Sequence, residues 1–412
     1  MALNYIWVAF FVVAFLVALA KLIFLGDTEI FYRILMGTFD ISKFAFEFSL
    51  GLTGMMTLWL GIMNVGEKGG AIKILSRLIS PFFSRLFPQI PKNHPALGQI
   101  ILNFSANMLG MGNAATPMGL KAMQSMQDLN EDKEKASNSQ IMFLVINTAG
   151  FTLLPLTIIA IRTQAQAASS TDVLLPILLS SFFATFVGVL LVCIKQKIKI
   201  FDKVLMLWAL ALCTLVSLIV FGVTRLTPVQ VSKVSNLGSG LLLLSIITSF
   251  IGLAAFRKVN VFDAFVEGAK EGFQTVIKII PYIVGMLVAI SVFRSSGCMD
   301  YLSSGLRHFF LFLGCNTEFV DAIPTALMRP LSSSGANGLT LDLIKTHGVD
   351  SFASRLSSII QGSADTTFYI VALYFGSVGV KNSRYAITFG LLTDLAGFIA
   401  AIFMAYLFFG SK

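Results

Sequence analysis

Residues 97–126 read LGQIILNFSANMLGMGNAATPMGLKAMQSM. Both ends are apolar and the middle, GMGNAATP, is not a helix interior. Each arm has about 12–13 residues, or ~19 Å at 1.5 Å per residue, too short for a ~30 Å hydrocarbon core. The stretch therefore reads as a re-entrant helical hairpin that enters and leaves a membrane on one side. Irregular backbone at that depth is tolerated only where protein buries it or a water-filled cavity meets it. GMGNAA, 110–115, also fits the G-x-G-x-x-A turn of dinucleotide sites, but that turn needs a strand in a βαβ unit. No βαβ alternation follows, so this route to nucleotide binding is set aside.

The rest of the chain is consistent with a membrane. Of 412 residues, 56% are hydrophobic and 12% charged, with mean hydropathy +0.82. Nine stretches are long enough, or nearly so, to cross as helices: 4–25, 44–64, 141–161, 173–194, 204–223, 237–256, 275–294, 355–375 and 385–409. The first lacks the basic n-region of a signal peptide, so a retained helix is expected. The net charge of +9 comes from Lys and Arg in short loops, as the positive-inside rule describes, and nucleic acid is not an expected partner. Cys193, Cys213, Cys298 and Cys315 are scattered, as are His94, His308 and His347, so no metal site is spelled out. No Ser/His/Asp, Cys/His or Walker arrangement is present, and no enzyme or cofactor is expected.

The loop KQKIKIFDK, 195–203, places its ends in the cytoplasm. Counting crossings from there puts the hairpin 97–126 on the inner side, preceded by an amphipathic segment within 67–95. The second half repeats the order: span 275–294, an amphipathic stretch MDYLSSGLRHFFLFLG, a broken segment 319–346, then spans 355–375 and 385–409. The same counting puts the second hairpin on the outer side. The expected architecture is an all-α polytopic membrane protein with about nine transmembrane helices and two re-entrant hairpins in an inverted repeat. Its divisions are 1–195, a linker with one helix at 196–236, and 237–412. Inverted repeats of this kind recur in secondary transporters, with the site at the broken helices. NTAGFTL, 147–153, also aligns with GSADTTF, 362–368.

Intramembrane charge is costly and marks function by default. The second half holds Arg329, in MRPLSSSGANG, together with Asp365 and Asp394, each about ten residues into its span. Arg329 with Ser332, Ser333, Ser334 and Asn337 offers a cation and a helix N-terminus to an anionic group. Asp365 and Asp394, among Ser363, Thr366 and Thr367, are candidates for a coupling Na⁺ or proton. An alternative is an internal salt bridge that locks the hairpin. In the first half Asn103, Ser105, Asn107, Asn113 and Thr116, with Asn147 and Thr148, are neutral and suit a polar, uncharged part of a solute. They could equally cap the hairpin's own helix ends.

MMTLWLGIMNVGEKGG, NFSANMLGMGNAATPMGLKAM, IPTALMRPLSSSGANG, GVDSFASRL and QGSADTTFYIVALYFGSVGVK resemble the spore maturation proteins A and B. Residues 1–195 resemble the A protein and about 240–410 the B protein, as in a natural fusion. Both carry the nucleoside-recognition, or gate, domain, similar in arrangement to concentrative nucleoside transporters. The resemblance implies solute between the hairpins and the helices that follow them, at 103–116 with 147–152 and at 329–337 with 363–367. The B-type pattern usually has Gly at Ser333 and Thr-Glu at Ala364-Asp365. The expected function is secondary transport of a small polar, anionic or nucleoside-like solute by an elevator-type movement coupled to Na⁺ or H⁺. The alternative is a non-transporting scaffold or sensor for envelope or spore maturation. The expected location is the inner cell membrane, with lipid and solute as partners and a homo-oligomer compatible with the sequence.

Overall fold

The computed structural model describes residues 2–91, 93–199 and 202–410. Every named element is helical, and no strand occurs among the described residues. The first half comprises α1 (Ala2–Leu25), α2 (Ile30–Lys68), α3 (Ala71–Leu86), α4 (Pro95–Met108), α5 (Gly112–Asp128), α6 (Asn138–Ala149), α7 (Leu156–Gln164) and α8 (Leu174–Gln196). Two helices follow, α9 (Lys203–Thr224) and α10 (Pro228–Phe256). The second half comprises α11 (Val261–Ser295), α12 (Cys298–Phe312), a 3-10 turn at Val320–Ala322, α13 (Ile323–Met328), α14 (Ser333–His347), α15 (Phe352–Ser363), α16 (Thr367–Ser377) and α17 (Ala386–Phe409).

Seven helices are long and apolar enough to cross a membrane: α1, α2, α8, α9, α10, α11 and α17. The chain is thus an all-α polytopic membrane protein. The remaining two expected spans, 141–161 and 355–375, are not continuous. The first is cut between α6 and α7, where Gly150 ends α6 at φ +61° and Pro155 stands at the N-cap of α7. Pro cannot donate to a preceding turn, and Gly adopts the left-handed region at no steric cost. The second is cut between α15 and α16, where Ala364 is extended and the Asp365 carboxylate accepts from the Thr366 N–H at 2.7 Å.

Helices α2 and α11 are also longer than the expected 44–64 and 275–294. Their charged N-terminal parts escape a hydropathy reading because they are only partly apolar. At 39 and 35 residues they extend ~58 and ~52 Å. They pack antiparallel along most of their length, with Gly37 beside Ser291 and Ser295, and Gly272 against Met56. A Cβ on Gly272 would lie 2.7 Å from the Met56 carbonyl oxygen. In a bilayer lipid is as apolar as the helix, so such small-residue contacts, rather than hydrophobic burial, hold helices together.

Both amphipathic stretches are helical, as α3 and α12. Helices α4 and α5 pack side by side as a hairpin over Phe83, Phe104, Met123 and Phe143. The second hairpin is lopsided, because its first arm is only the 3-10 turn and the six-residue α13. Its second arm starts at Ser333, within the Ser332–Ser334 run read as a helix N-terminus. Ser332 is the N-cap and accepts from the Gly335 N–H at 3.0 Å. At the centre, α6–α7 and α15–α16 cross at their interruptions, covered on one side by the packed pair α8 and α17.

Candidate functional site at the crossing of two interrupted helices

Freed backbone groups in a protein interior need partners. Here the hairpin tips and the opposite interruption supply them. Leu153 N–H donates to the Met108 carbonyl at 2.7 Å, tying the first interruption to the first hairpin tip. Phe368 N–H donates to the Pro330 carbonyl at 3.0 Å, tying the second interruption to the second tip. Asp365 N–H donates to the Thr148 carbonyl at 2.9 Å and joins the two interruptions. Leu153 and Phe368 are equivalent positions in the 147–153 and 362–368 alignment, so the two tips are held in the same way.

A cavity of about 220 Å³ opens where these four segments meet. From the first half it is lined by Asn107, Asn147, Gly110, Gly150, Thr152 and Thr157. From the second half come Arg329, Ser333, Asn337, Gln361 and Asp365. Asn107 Nδ2 donates to Asn147 Oδ1 at 2.9 Å, and Gln361 Nε2 to Asn337 Oδ1 at 2.6 Å. Each half thus presents a paired set of amides.

Arg329 is 8% exposed. Its Nε and Nη2 both donate to the Ala364 carbonyl, at 2.9 and 2.6 Å, and its Nη1 donates to Ser333 Oγ at 2.8 Å. A longer bond reaches Thr366 Oγ1 at 3.4 Å. The nearest carboxylate oxygen is Asp365 Oδ1 at 3.7 Å, on a side chain 49% exposed to the cavity. The guanidinium thus caps the unwound end of α15 and also sets a positive edge on the second-half side of the cavity, beside the Asn337–Gln361 pair.

The sequence-based candidates separate into three groups. Asn107, Asn147, Arg329, Ser333, Asn337 and Asp365 line the cavity, and Thr366 touches Arg329. Thr367 instead donates to Asp394 at 2.5 Å behind the crossing, while Ser363 and Thr148 hydroxyls bond to carbonyls of their own helices. Asn103 donates to the Ala115 carbonyl within the first hairpin, Ser105 to Ile101, and Ser332 caps α14. Ser334 and Thr116 are half-buried and do not line the cavity. The Asn113 side chain lies outside the described residues.

Several functional-looking groups escaped the sequence reading. Gln361 lies in the last turn of α15, just before the interruption, and lines the cavity together with Asp365. Thr157 follows Pro155, and the Gly150–Pro155 pair inside an apolar run was the usable signal of an interruption; Thr152 lay within the expected 147–152. Arg162 is fully buried and meets Asp172 at 3.0 Å and Asp350 at 3.1 Å. Arg355 meets Asp172 at 2.9 Å, which completes a four-charge cluster shared by both halves.

The profile of the nucleoside-recognition Gate family matches residues 49–164 and 276–381. These two regions each run from a long helix through a hairpin to an interrupted helix. Spore maturation protein B of Bacillus subtilis (strain 168) is 48% identical over 166 residues, 40% of this chain and 92% of its own length. Spore maturation protein A of the same organism is 39% identical over 181 residues, 44% of this chain and 89% of its own length. No solved structure matches. With the Gate profile matched twice, over more than half of the sequence, the chain belongs to the nucleoside-recognition Gate family and joins relatives of spore maturation proteins A and B in one polypeptide.

Proposed function

We propose that this protein is a secondary transporter for a compact polar solute, which binds in the cavity between the hairpin tips and the two interrupted helices. The observation that carries this reading is the convergence of four broken helical segments, paired amides and a charged pair on one cavity. Its ~220 Å³ lies below the ~300–1,000 Å³ of sites for drug-sized ligands, so the solute is small. Asn107 and Asn147 suit the neutral, hydrogen-bonding part of a nucleoside-like solute. Arg329, Asp365 and Asn337 suit its hydroxyls or an anionic group.

In this reading the hairpins are re-entrant and the repeat is inverted. Antiparallel packing of α2 on α11 and of α8 on α17 supports that symmetry, since each pair unites equivalent elements. The A-like repeat is 1–195 and the B-like repeat follows the linker. Because α10 is continuous from Pro228, its start is a natural second boundary. An elevator-type movement of hairpins and interrupted helices against α2 and α11, coupled to Na⁺ or H⁺ across the inner membrane, exposes the cavity alternately. No catalytic step is involved.

Purified full-length protein screened by thermal stability against nucleosides, amino acids and small carboxylates, with and without Na⁺, tests the reading. A solute at 100 times its Kd adds about 2.7 kcal/mol. The same solute should then enter proteoliposomes. Absence of both binding and flux across these classes would sink the transport reading. It would favour a membrane scaffold or sensor in envelope or spore maturation. One observation suits that alternative: the short bonds of Arg329 go to the chain's own carbonyl and hydroxyl oxygens.

A further inference from the structure

We infer that Asp394 is a proton-carrying group, which holds one proton when the interrupted helices close in front of it and loses it when they part. This deepens the transport reading and rests on it for the consequence of proton movement, though not for proton binding itself. Three acidic side chains are buried among the described residues: Asp172, Asp342 and Asp394. Asp172 is bonded to Arg162 and Arg355, and Asp342 to Arg294 through both carboxylate oxygens. Among the described residues, no Lys, Arg or His nitrogen lies within 4.0 Å of Asp394.

Asp394 is 1% exposed. Oδ2 accepts from Thr367 Oγ1 at 2.5 Å, and Oδ1 has no partner. Burying an unpaired carboxylate costs far more than burying a neutral acid, so the group needs a cation or a proton. The surroundings favour the proton. Gly390 and Gly397 stand about one turn to either side on α17, and both press it against the crossing. A Cβ at Gly390 would lie 2.9 Å from Thr367 Cγ2, and one at Gly397 3.2 Å from the Ser363 carbonyl oxygen. The carboxylate between them is thus enclosed by packed helices and is bonded to one oxygen, Thr367 Oγ1, where a hard cation takes about six or more.

The elements packed on α17 at this level present Thr148 from α6, Ser363 from α15, Thr367 from α16, and Ala184 and Gly188 from α8. None of these ionises. Helices α9 and α10 meet α17 further along, near Met404 and Phe408. The charged groups at the crossing are Arg329 and Asp365, which face each other at 3.7 Å. Arg329 is held there by Ala364 and Ser333. Asp394 therefore closes as the acid, and opening admits water that takes the proton: carboxylic acid plus water gives carboxylate plus hydronium. The Asp365 N–H to Thr148 carbonyl bond lies on the path that must open.

Infrared difference spectra of the full-length protein in lipid, recorded between acid and alkaline pH, test this without any solute. The wild type should show a protonated-carboxyl C=O band that is lost on alkalinisation. The band should be absent in Asp394→Asn, present in Asp365→Asn, and unmoved when K⁺ is exchanged for Na⁺. Thr367→Val, which keeps the acid and removes its donor, should shift the band to higher frequency, and it carries the test if Asp394→Asn does not fold. A band that persists in Asp394→Asn, or is unchanged in Thr367→Val, overturns the inference. Loss of the band on adding Na⁺ at constant pH overturns it too, and makes the pocket a metal-cation site. Failure to find a transported solute would remove the transport reading alone and leave the spectra to decide the proton.

Discussion

The N–H of Asp365 donates to the carbonyl oxygen of Thr148 at 2.9 Å, so each half's interrupted helix satisfies backbone of the other. Close approach at this point depends on Gly150, where a Cβ would lie 2.8 Å from the Asp365 nitrogen. Gly150→Ala should therefore lose about 2–4 kcal/mol, part from the left-handed backbone at about 1–2 kcal/mol and part from crowding. Gly379→Ala is the control: its φ of +72° is similar, but nothing lies within 4 Å of its Cβ position. It should show the backbone cost alone. Equal losses, read from denaturation in detergent, would refute the tight crossing.

Arg329 and Asp365 form a pair on paper, yet their 3.7 Å separation is longer than either bond from Arg329 to Ala364. Arg329→Ala should cost about 1–3 kcal/mol by leaving the Ala364 carbonyl unsatisfied. Asp365→Asn should cost under ~1 kcal/mol, since the carboxylate is half exposed. Because the main partner is a carbonyl, combining the two substitutions should not restore stability. Full rescue by the double change would show that the charge pair, and not the cap on α15, is what Arg329 supplies.

The all-α fold was largely legible because long apolar runs became helices, the polar middle of 97–126 became the turn between α4 and α5, and both amphipathic stretches had helical spacing. The interruption at 364–366 was not legible in the same way. Ala364, Asp365 and Thr366 include no Gly or Pro, and the turn is held by Arg329, 35 residues away, on the Ala364 carbonyl. Site residues divided by the same logic. Arg329 and Asp365 stood out as charges in apolar sequence, whereas whether an Asn lines a cavity or ties its own hairpin, as Asn103 does, depends on rotation about a helix whose neighbours are distant in sequence.

The Arg162 cluster was invisible for that reason, because two of its members, Asp350 and Arg355, belong to the other half of the chain, Asp350 lying 188 residues away. With Arg162 at 0% and Asp172 at 5% exposure, the pair is buried, and because Arg355 still meets Asp172 at 2.9 Å, Arg162→Ala should cost about 1.5–3 kcal/mol, the loss of a buried bond to a charged group. Arg355 is 24% exposed, so Arg355→Ala should cost less. A double-mutant cycle between Arg162 and Asp172 measures the coupling. If Arg162→Ala is near neutral, the cluster does not hold the two halves together.

The inverted arrangement proposed above makes a labelling prediction with native chemistry. Cys315 is exposed in the loop before the second hairpin, while Cys193 and Cys298 are buried and Cys213 is half-buried on α9. Glu131 is exposed in the loop after the first hairpin. If the hairpins open to opposite sides, a membrane-impermeant maleimide added to intact cells should label Cys315. Cysteine placed at Glu131 in a Cys315→Ser background should react only after the membrane is permeabilised. The expected orientation rests on the Lys-rich 195–203 loop, which by the positive-inside rule puts the first hairpin's mouth inside in the proposed topology. Labelling of both positions from one side would mean that equivalent elements run in the same sense across the bilayer. The antiparallel contact of α2 with α11 would then need a different origin from an inverted repeat.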